Sequence, residues 1–351
     1  MKRLRLFNPE NDIALAVGKA NFTAPPAALE MRRMGELLPF FLAEDCDRVI
    51  VDGVNARFFD AFREKFSIKS DIWDHSPEGF TPAPWGWSYA ARRYFENAGF
   101  AGQVLPTDSR LDVWRGLSHR RTAALIGDFV AAQSPLSVWP RAVEARSAEE
   151  LEAALAACRQ AVVKLPWSSS GRGVRFFDPS RATGFIKQAV GSIKRQGSVM
   201  VERYMPGHQD FALLYETVGG SARFVGPSVF IAAKNGDYSG NLVGDYDYLT
   251  EKIENFVNPD ELKILISSLS RAIDDIISPF YDGPVGVDIC CADGKIHICE
   301  ANLRYTMGFV ARGIARLSPR KGILTTSASP LPDDIPLTQP GRRMKFILRP
   351  S

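Results

Sequence analysis

The stretch Gly286-Val287-Asp288-Ile289-Cys290-Cys291-Ala292-Asp293-Gly294-Lys295-Ile296-His297-Ile298-Cys299-Glu300-Ala301-Asn302 reads as a β-hairpin. Its register decides what it can do. A two-residue Asp293-Gly294 turn pairs Asp288 with Cys299 and sends Glu300 to the other face. A three-residue loop Ala292-Asp293-Gly294, with Gly294 in the left-handed region, shifts the parity. Asp288, Glu300 and Asn302 then share one face, and this is the register expected. Two carboxylates and an amide oxygen together are hard ligands suited to Mg²⁺. Without a cation, two like charges on a buried face would be unfavourable. The plainer alternative is a solvent-facing polar stripe.

Working outward, Arg304-Tyr305-Thr306-Met307-Gly308 leaves that strand, and Arg304 could bind a phosphate or carboxylate through two N–H groups, or be a surface arginine. Upstream, Val199-Met200-Val201-Glu202-Arg203-Tyr204-Met205 reads as a strand, followed by Pro206-Gly207-His208-Gln209-Asp210. A strand ending in Glu and an apolar residue could receive a purine base; an edge strand with exposed charges reads the same way. Further upstream, Val163-Lys164-Leu165-Pro166 precedes Ser168-Ser169-Ser170-Gly171-Arg172-Gly173-Val174. A lysine leaving a buried strand beside a Ser/Gly loop can hold phosphates, the loop by its backbone N–H groups and the lysine as a point charge. By itself, such a loop is more often only a turn.

Cys290, Cys291, His297 and Cys299 form a cluster of soft ligands. Strand alternation sends Cys290 and Cys291 to opposite faces, so they read as small buried hydrophobes. No GxxxxGK[ST], GxGxxG, HExxH or GxSxG occurs, and the histidines (His75, His119, His208, His297) are scattered. P-loop, Rossmann, zinc-hydrolase and Ser-His-Asp chemistry therefore lack support. Trp85-Gly86-Trp87 reads as packing rather than as a stacking platform.

The chain has 351 residues, 45% hydrophobic and 24% charged, with 43 Lys plus Arg against 40 Asp plus Glu. A net charge of +3 gives no field favouring nucleic acid or anionic membrane, and neither is expected as a partner. No apolar run reaches the roughly 18 residues that span a bilayer. The basic start, Met1 to Arg5, is followed by Asn8, Glu10, Asn11 and Asp12, which argues against a signal peptide. Five cysteines, two of them adjacent, suit reduced thiols. The expected compartment is the cytoplasm.

Short strands at Arg3 to Phe7 and Arg48 to Val51 flank a helical pattern from Ala27 to Leu42, a βαβ-like arrangement. Ser88 is read as a helix cap, Ser147-Ala148-Glu149-Glu150 as a capping box and Asn258-Pro259-Asp260-Glu261 as a further helix start. Lys234 to Gly244 reads as a polar loop. From about Ile323 the chain is rich in Pro, Ser and Thr and reads as a surface tail. The divisions expected are 1–115, 116–205, 206–322 and 323–351.

In this order the segments resemble the ATP-grasp superfamily over about Leu117 to Gly308. The resemblance implies an α+β class: two α+β subdomains (116–205 and 206–322) gripping a nucleotide, preceded by an α/β lobe. It implies ATP and Mg²⁺, with Mn²⁺ as an alternative ion. Lys164 would contact phosphate oxygens, and Ser169, Ser170, Gly171 and Gly173 would cover the triphosphate. Glu202 would accept from the adenine amino group, with Arg203 and Met205 presenting backbone groups and Asp210 binding ribose. Asp288, Glu300 and Asn302 would hold the metal, and Arg304 would face the transferring phosphate or a substrate carboxylate. Members often carry a further lysine where this chain reads Leu117-Ser118-His119-Arg120-Arg121-Thr122; Arg121, or its neighbour Arg120, would stand in. The activity implied is ATP-dependent ligation of a carboxylate to an amine, on a small molecule or a peptide, in a chain that could be a homodimer. The alternatives are a kinase on the same fold and a non-catalytic nucleotide-binding or scaffold protein.

Overall fold

A Pro-rich entry and a glycine decide how the first helix region folds. The helix Pro26–Met34 begins with Pro at its first position and stops at Gly35, short of the Leu42 that the helical period suggested. A Cβ at Gly35 would lie 2.3 Å from the Phe7 ring, so the chain can pack there only without a side chain. It then turns through a tight Leu38–Leu42 segment that buries Phe40 and Phe41. The computed structural model describes residues 2–158, 160–168, 173–232 and 238–351. Four sheets organise them.

The first sheet is parallel, with strands Asp71–Ile72, Arg48–Val49, Lys2–Leu6 and Phe80–Pro84 in spatial order. A small antiparallel sheet follows, ordered Val143–Ala145, Val199–Arg203, Ala161–Lys164 and Val174–Phe177. Helices Ala148–Ala156 and Ala182–Gln196 bury Leu151, Leu155, Ala189 and Ile193 against it. The Ser147 hydroxyl accepts from the Glu150 amide at 3.2 Å, so the expected cap forms, but the Glu150 carboxylate returns to the Arg146 amide rather than to that of Ser147 itself.

The large sheet is antiparallel, ordered Ser221–Ser228, Gln209–Val218, Gly283–Ala292 and Lys295–Asn302. Helices Arg121–Gln133 and Pro259–Ile276 cover one face, burying Ile126, Val130, Leu265 and Leu269 with Val287, Ile289, Ile296 and Ile298. The opposite face is left for a site. The fourth sheet is ordered Phe230–Ala232, Tyr238–Val243, Gly322–Ser327, Lys345–Pro350 and Ile335–Pro336. This corrects two expectations. The tail from Ile323 supplies strands whose Leu324, Phe346 and Leu348 are buried, and residues 238–243 of the expected loop are a strand. Residues 233–237 of that loop lie outside the described residues.

Helix Met307–Leu317 joins this sheet to the first part of the chain. Its Gly313 is forced by contact: a Cβ there would lie 2.0 Å from the Phe41 carbonyl oxygen. Backbone cannot swing aside as a side chain can, so Gly313→Ala should cost at least the 1–3 kcal/mol or so typical of overpacking. An unchanged melting temperature would show that the two segments can separate freely. No helix among the described residues is long and apolar enough to cross a membrane.

Candidate functional site

The hairpin reaches its ligand-bearing register by a route the sequence did not indicate. The connection is a two-residue turn, with Asp293 and Gly294 both at positive φ (50° and 66°) and Ala292 paired with Lys295. This corrects the three-residue loop expected. Parity is restored by a bulge instead. Ile289 pairs with Ile298, but Asp288 pairs with Glu300 and Gly286 with Asn302, leaving Cys299 as the extra residue. Asp288, Cys299, Glu300 and Asn302 consequently all line one cavity of about 520 Å³.

The small sheet and the large sheet wall this cavity. From the small sheet come Lys164 and Glu202, from the connection after Val199–Arg203 come Met205 and His208, and from the large-sheet strand Gln209–Val218 comes Asp210. Arg203 lines the rim and lies over the Trp139 ring, 5.6 Å from its centroid. Arg304, Thr306 and Gly308 close the far end. Of the residues singled out from sequence, Lys164, Glu202, Arg203, Met205, Asp210, Asp288, Glu300, Asn302 and Arg304 are thus brought together. Gly173 borders the loop without lining the cavity; its carbonyl accepts from the Leu165 amide at 3.0 Å. Ser169, Ser170 and Gly171 lie outside the described residues.

Arg121 is the exception. Its guanidinium sits 3.5 Å from Glu144, partly exposed and away from the cavity. Arg120 is the arginine that lines it, 3.0 Å from Glu300 Oε2, with Nε donating to the Leu165 carbonyl at 3.0 Å. The difference follows from the start of helix Arg121–Gln133. His119 Nδ1 accepts from the Arg121 amide at 3.0 Å, serving as a cap and directing the two arginines apart. Burial, helped by nearby Arg121, lowers the His119 pKa to about 4, so the ring stays neutral and keeps that acceptor.

Charges in the cavity are strongly coupled. Burial alone would raise the Glu202 carboxyl, but Lys164 Nζ, 2.5 Å away, and the His297 hydrogen bond outweigh it and bring its pKa to about 2. At the other end, burial and then the nearby Glu300 push Asp288 up to about 7. Burial likewise raises Glu300, against the pull of Arg120. The Asn302 amide donates to Asp288 Oδ2 at 3.0 Å, which leaves the Asn302 carbonyl oxygen as a further ligand. Two carboxylates that repel each other and one amide oxygen make a donor set that fits a hard divalent cation. His208 Nε2 lies 3.5 Å from Asp210; that hydrogen bond raises the imidazole pKa to about 9, so the ring carries charge at neutral pH.

Two contacts were not read from the sequence. Asp12, at the start of helix Asn11–Val17, pairs with Arg304 at 2.8 Å and 3.1 Å. His297 Nε2 lies 3.3 Å from Glu202 Oε2. The alternation that sends Ile296 and Ile298 to the core puts His297 on the cavity side, so that signal was present in the sequence.

No protein-family profile and no curated protein matches the sequence significantly. Solved structures do match. An N5-carboxyaminoimidazole synthetase from Staphylococcus aureus, complexed with ADP, is 9% identical over 99% of this chain and 92% of its own, with a TM-score of 0.55. The biotin carboxylase domain dimer of Hydrogenobacter thermophilus 2-oxoglutarate carboxylase, in complex with MgADP, ADP and bicarbonate, is 12% identical with a TM-score of 0.50. It matches 80% of this chain, which spans 64% of that chain's length. A protein from Archaeoglobus fulgidus assigned to the ATP-grasp superfamily is 13% identical over the whole of both chains, with a TM-score of 0.50. With its small and large antiparallel sheets walling one charged cavity, this chain has the α+β ATP-grasp fold.

Proposed function

We propose that this chain is an ATP-dependent ligase that joins a carboxylate to an amine through an acylphosphate. One observation carries the reading: Lys164, Arg120, Glu202 and the Asp288, Glu300, Asn302 set wall a single cavity. Cations that suit phosphates stand between a carboxylate that suits an amino-purine and a donor set that suits Mg²⁺. In this reading Met205 and Arg203 offer backbone groups to the base, and Asp210 accepts from the ribose.

The substrate carboxylate attacks the γ-phosphorus of ATP, and the bond to the β,γ-bridging oxygen breaks, releasing ADP. The amine then attacks the acyl carbon, phosphate leaves, and the amine proton passes to solvent or phosphate. Lys164 and Arg120 hold the phosphate oxygens in line, while Arg304, fixed by Asp12, orients the carboxylate. Asp288, Glu300 and Asn302 would hold Mg²⁺, which when bound neutralises charge on the phosphates. No protein nucleophile is needed, in keeping with the scattered histidines.

The test is calorimetric titration with AMP-PNP, with and without Mg²⁺, followed by a screen of acids and amines for phosphate release. Saturable binding tightened by Mg²⁺ is expected; absence of binding at millimolar analogue would end the nucleotide reading. The two arginines give a sharper check. Arg120→Ala should weaken AMP-PNP binding about tenfold or more, the worth of a hydrogen bond to a charged group. Arg121→Ala should leave it unchanged, and the reverse pattern would reassign the phosphate contact.

A further inference from the structure

Resting on that nucleotide reading, we infer that His297 is a positioning residue that fixes Glu202 to read the adenine amino group, and so sets a preference for adenine over guanine nucleotides. His297 is only 4% exposed and stands on the strand Lys295–Asn302. That strand is held firmly at this point: the Trp139 amide donates to the Ile296 carbonyl at 2.8 Å, and the Ile296 amide to the Ser137 carbonyl at 2.9 Å. Glu202 stands on the opposing sheet, 6% exposed. It is gripped from two sides, by Lys164 of its own sheet and by His297 of the other.

Both grips fall on the same atom. Lys164 Nζ at 2.5 Å and His297 Nε2 at 3.3 Å both approach Oε2. Oε1 takes neither, on a side chain that lines the cavity. A carboxylate held by two donors on one oxygen cannot turn freely about its terminal torsion, which is otherwise broad. Its second oxygen is then a fixed pure acceptor. Adenine offers an exocyclic amine there, which donates. Guanine places a carbonyl oxygen at the same ring position, which the carboxylate repels. With Lys164 alone, one anchor remains and the carboxylate can rotate about it, so the acceptor loses its fixed direction.

The experiment compares AMP-PNP and GMP-PNP, each with Mg²⁺, by calorimetry on the full chain. Wild type should bind AMP-PNP more tightly. In His297→Ala the ratio of the two dissociation constants should fall about tenfold, the worth of one charge-assisted hydrogen bond. His297→Gln, which keeps an N–H donor, should restore most of the ratio. A general loosening would weaken both nucleotides together and leave the ratio unchanged, and that result overturns the inference. If His297→Ala does not fold, the ratio is read in His297→Asn, whose shorter side chain cannot reach Glu202. A wild type that binds both analogues equally also overturns the inference while sparing the nucleotide site. A wild type that binds neither overturns the nucleotide reading and this inference with it.

Discussion

Glu300→Gln should abolish the Mg²⁺-dependent tightening of AMP-PNP binding while changing the stability of the free protein little. In the free protein Glu300 does two opposing things. It pairs with Arg120 at 3.0 Å, and it repels Asp288, whose pKa stands near 7 once burial and Glu300 act on it. Neutralising it removes one ion pair and one repulsion, which act on stability in opposite directions. Metal binding has no such compensation, because a divalent cation needs the second carboxylate. Calorimetry with and without Mg²⁺, beside a thermal melt, separates the two. A variant that melts far below wild type would mark Glu300 as a structural residue. One that keeps the Mg²⁺ effect would take it out of the metal set.

The second large effect is expected at Lys164. Lys164→Met strands the buried Glu202 carboxylate, at a cost of about 3–5 kcal/mol for breaking such a pair. It should also invert the response to acid. In wild type the Glu202 pKa is about 2, below its ordinary 4.5. A carboxyl depressed in this way adds stability that is full above its unfolded pKa and is lost as pH falls toward the folded one. Glu202 thus contributes to acid unfolding of wild type between about pH 4.5 and about pH 2. Without Lys164, burial is opposed by His297 alone and the folded pKa rises above 4.5. The variant then gains from protonation at this site as pH falls toward about 4.5, and is flat at this site below that, where wild type loses. Urea unfolding at several pH values from about 6 down to about 3 gives the slopes. Parallel slopes would show that Lys164 does not control this carboxyl.

Much of the site was legible because strand alternation is a hard rule. Val287 and Ile289 belong to the core, so Asp288 between them must face the other way. The helix starts at Ser147 and Asn258 were legible for the same kind of reason, since their side chains satisfy amides that the helix leaves free. What failed was local. Nothing in Ile298-Cys299-Glu300 announces a bulge, because it forms with ordinary side chains and is fixed by the ladder on both sides. The choice between Arg120 and Arg121 hung on a histidine capping a helix, a role its residue type does not advertise. The end of the chain looked like a tail because Pro and Ser are common there. Its strands exist because Leu324, Phe346 and Leu348 join a core that also holds Phe40, Phe41 and Phe66, from the far end of the chain. Local pattern cannot contain such a pairing.

The stitching around Arg304 bears on how the cavity can open. Gly86 bridges Arg304 backbone to backbone, the Tyr305 amide donates to the Trp85 carbonyl at 2.9 Å, and the Tyr305 hydroxyl accepts from Arg5 at 3.1 Å. With the Asp12 pair, these ties bind the first sheet to the end of the large sheet through main chain and side chain alike. Any movement of one therefore carries the other with it, and relative motion across the cavity falls to the small sheet. On the proposed nucleotide reading, amide exchange should slow in the small sheet when AMP-PNP binds, and slowing confined to the first sheet would refute this.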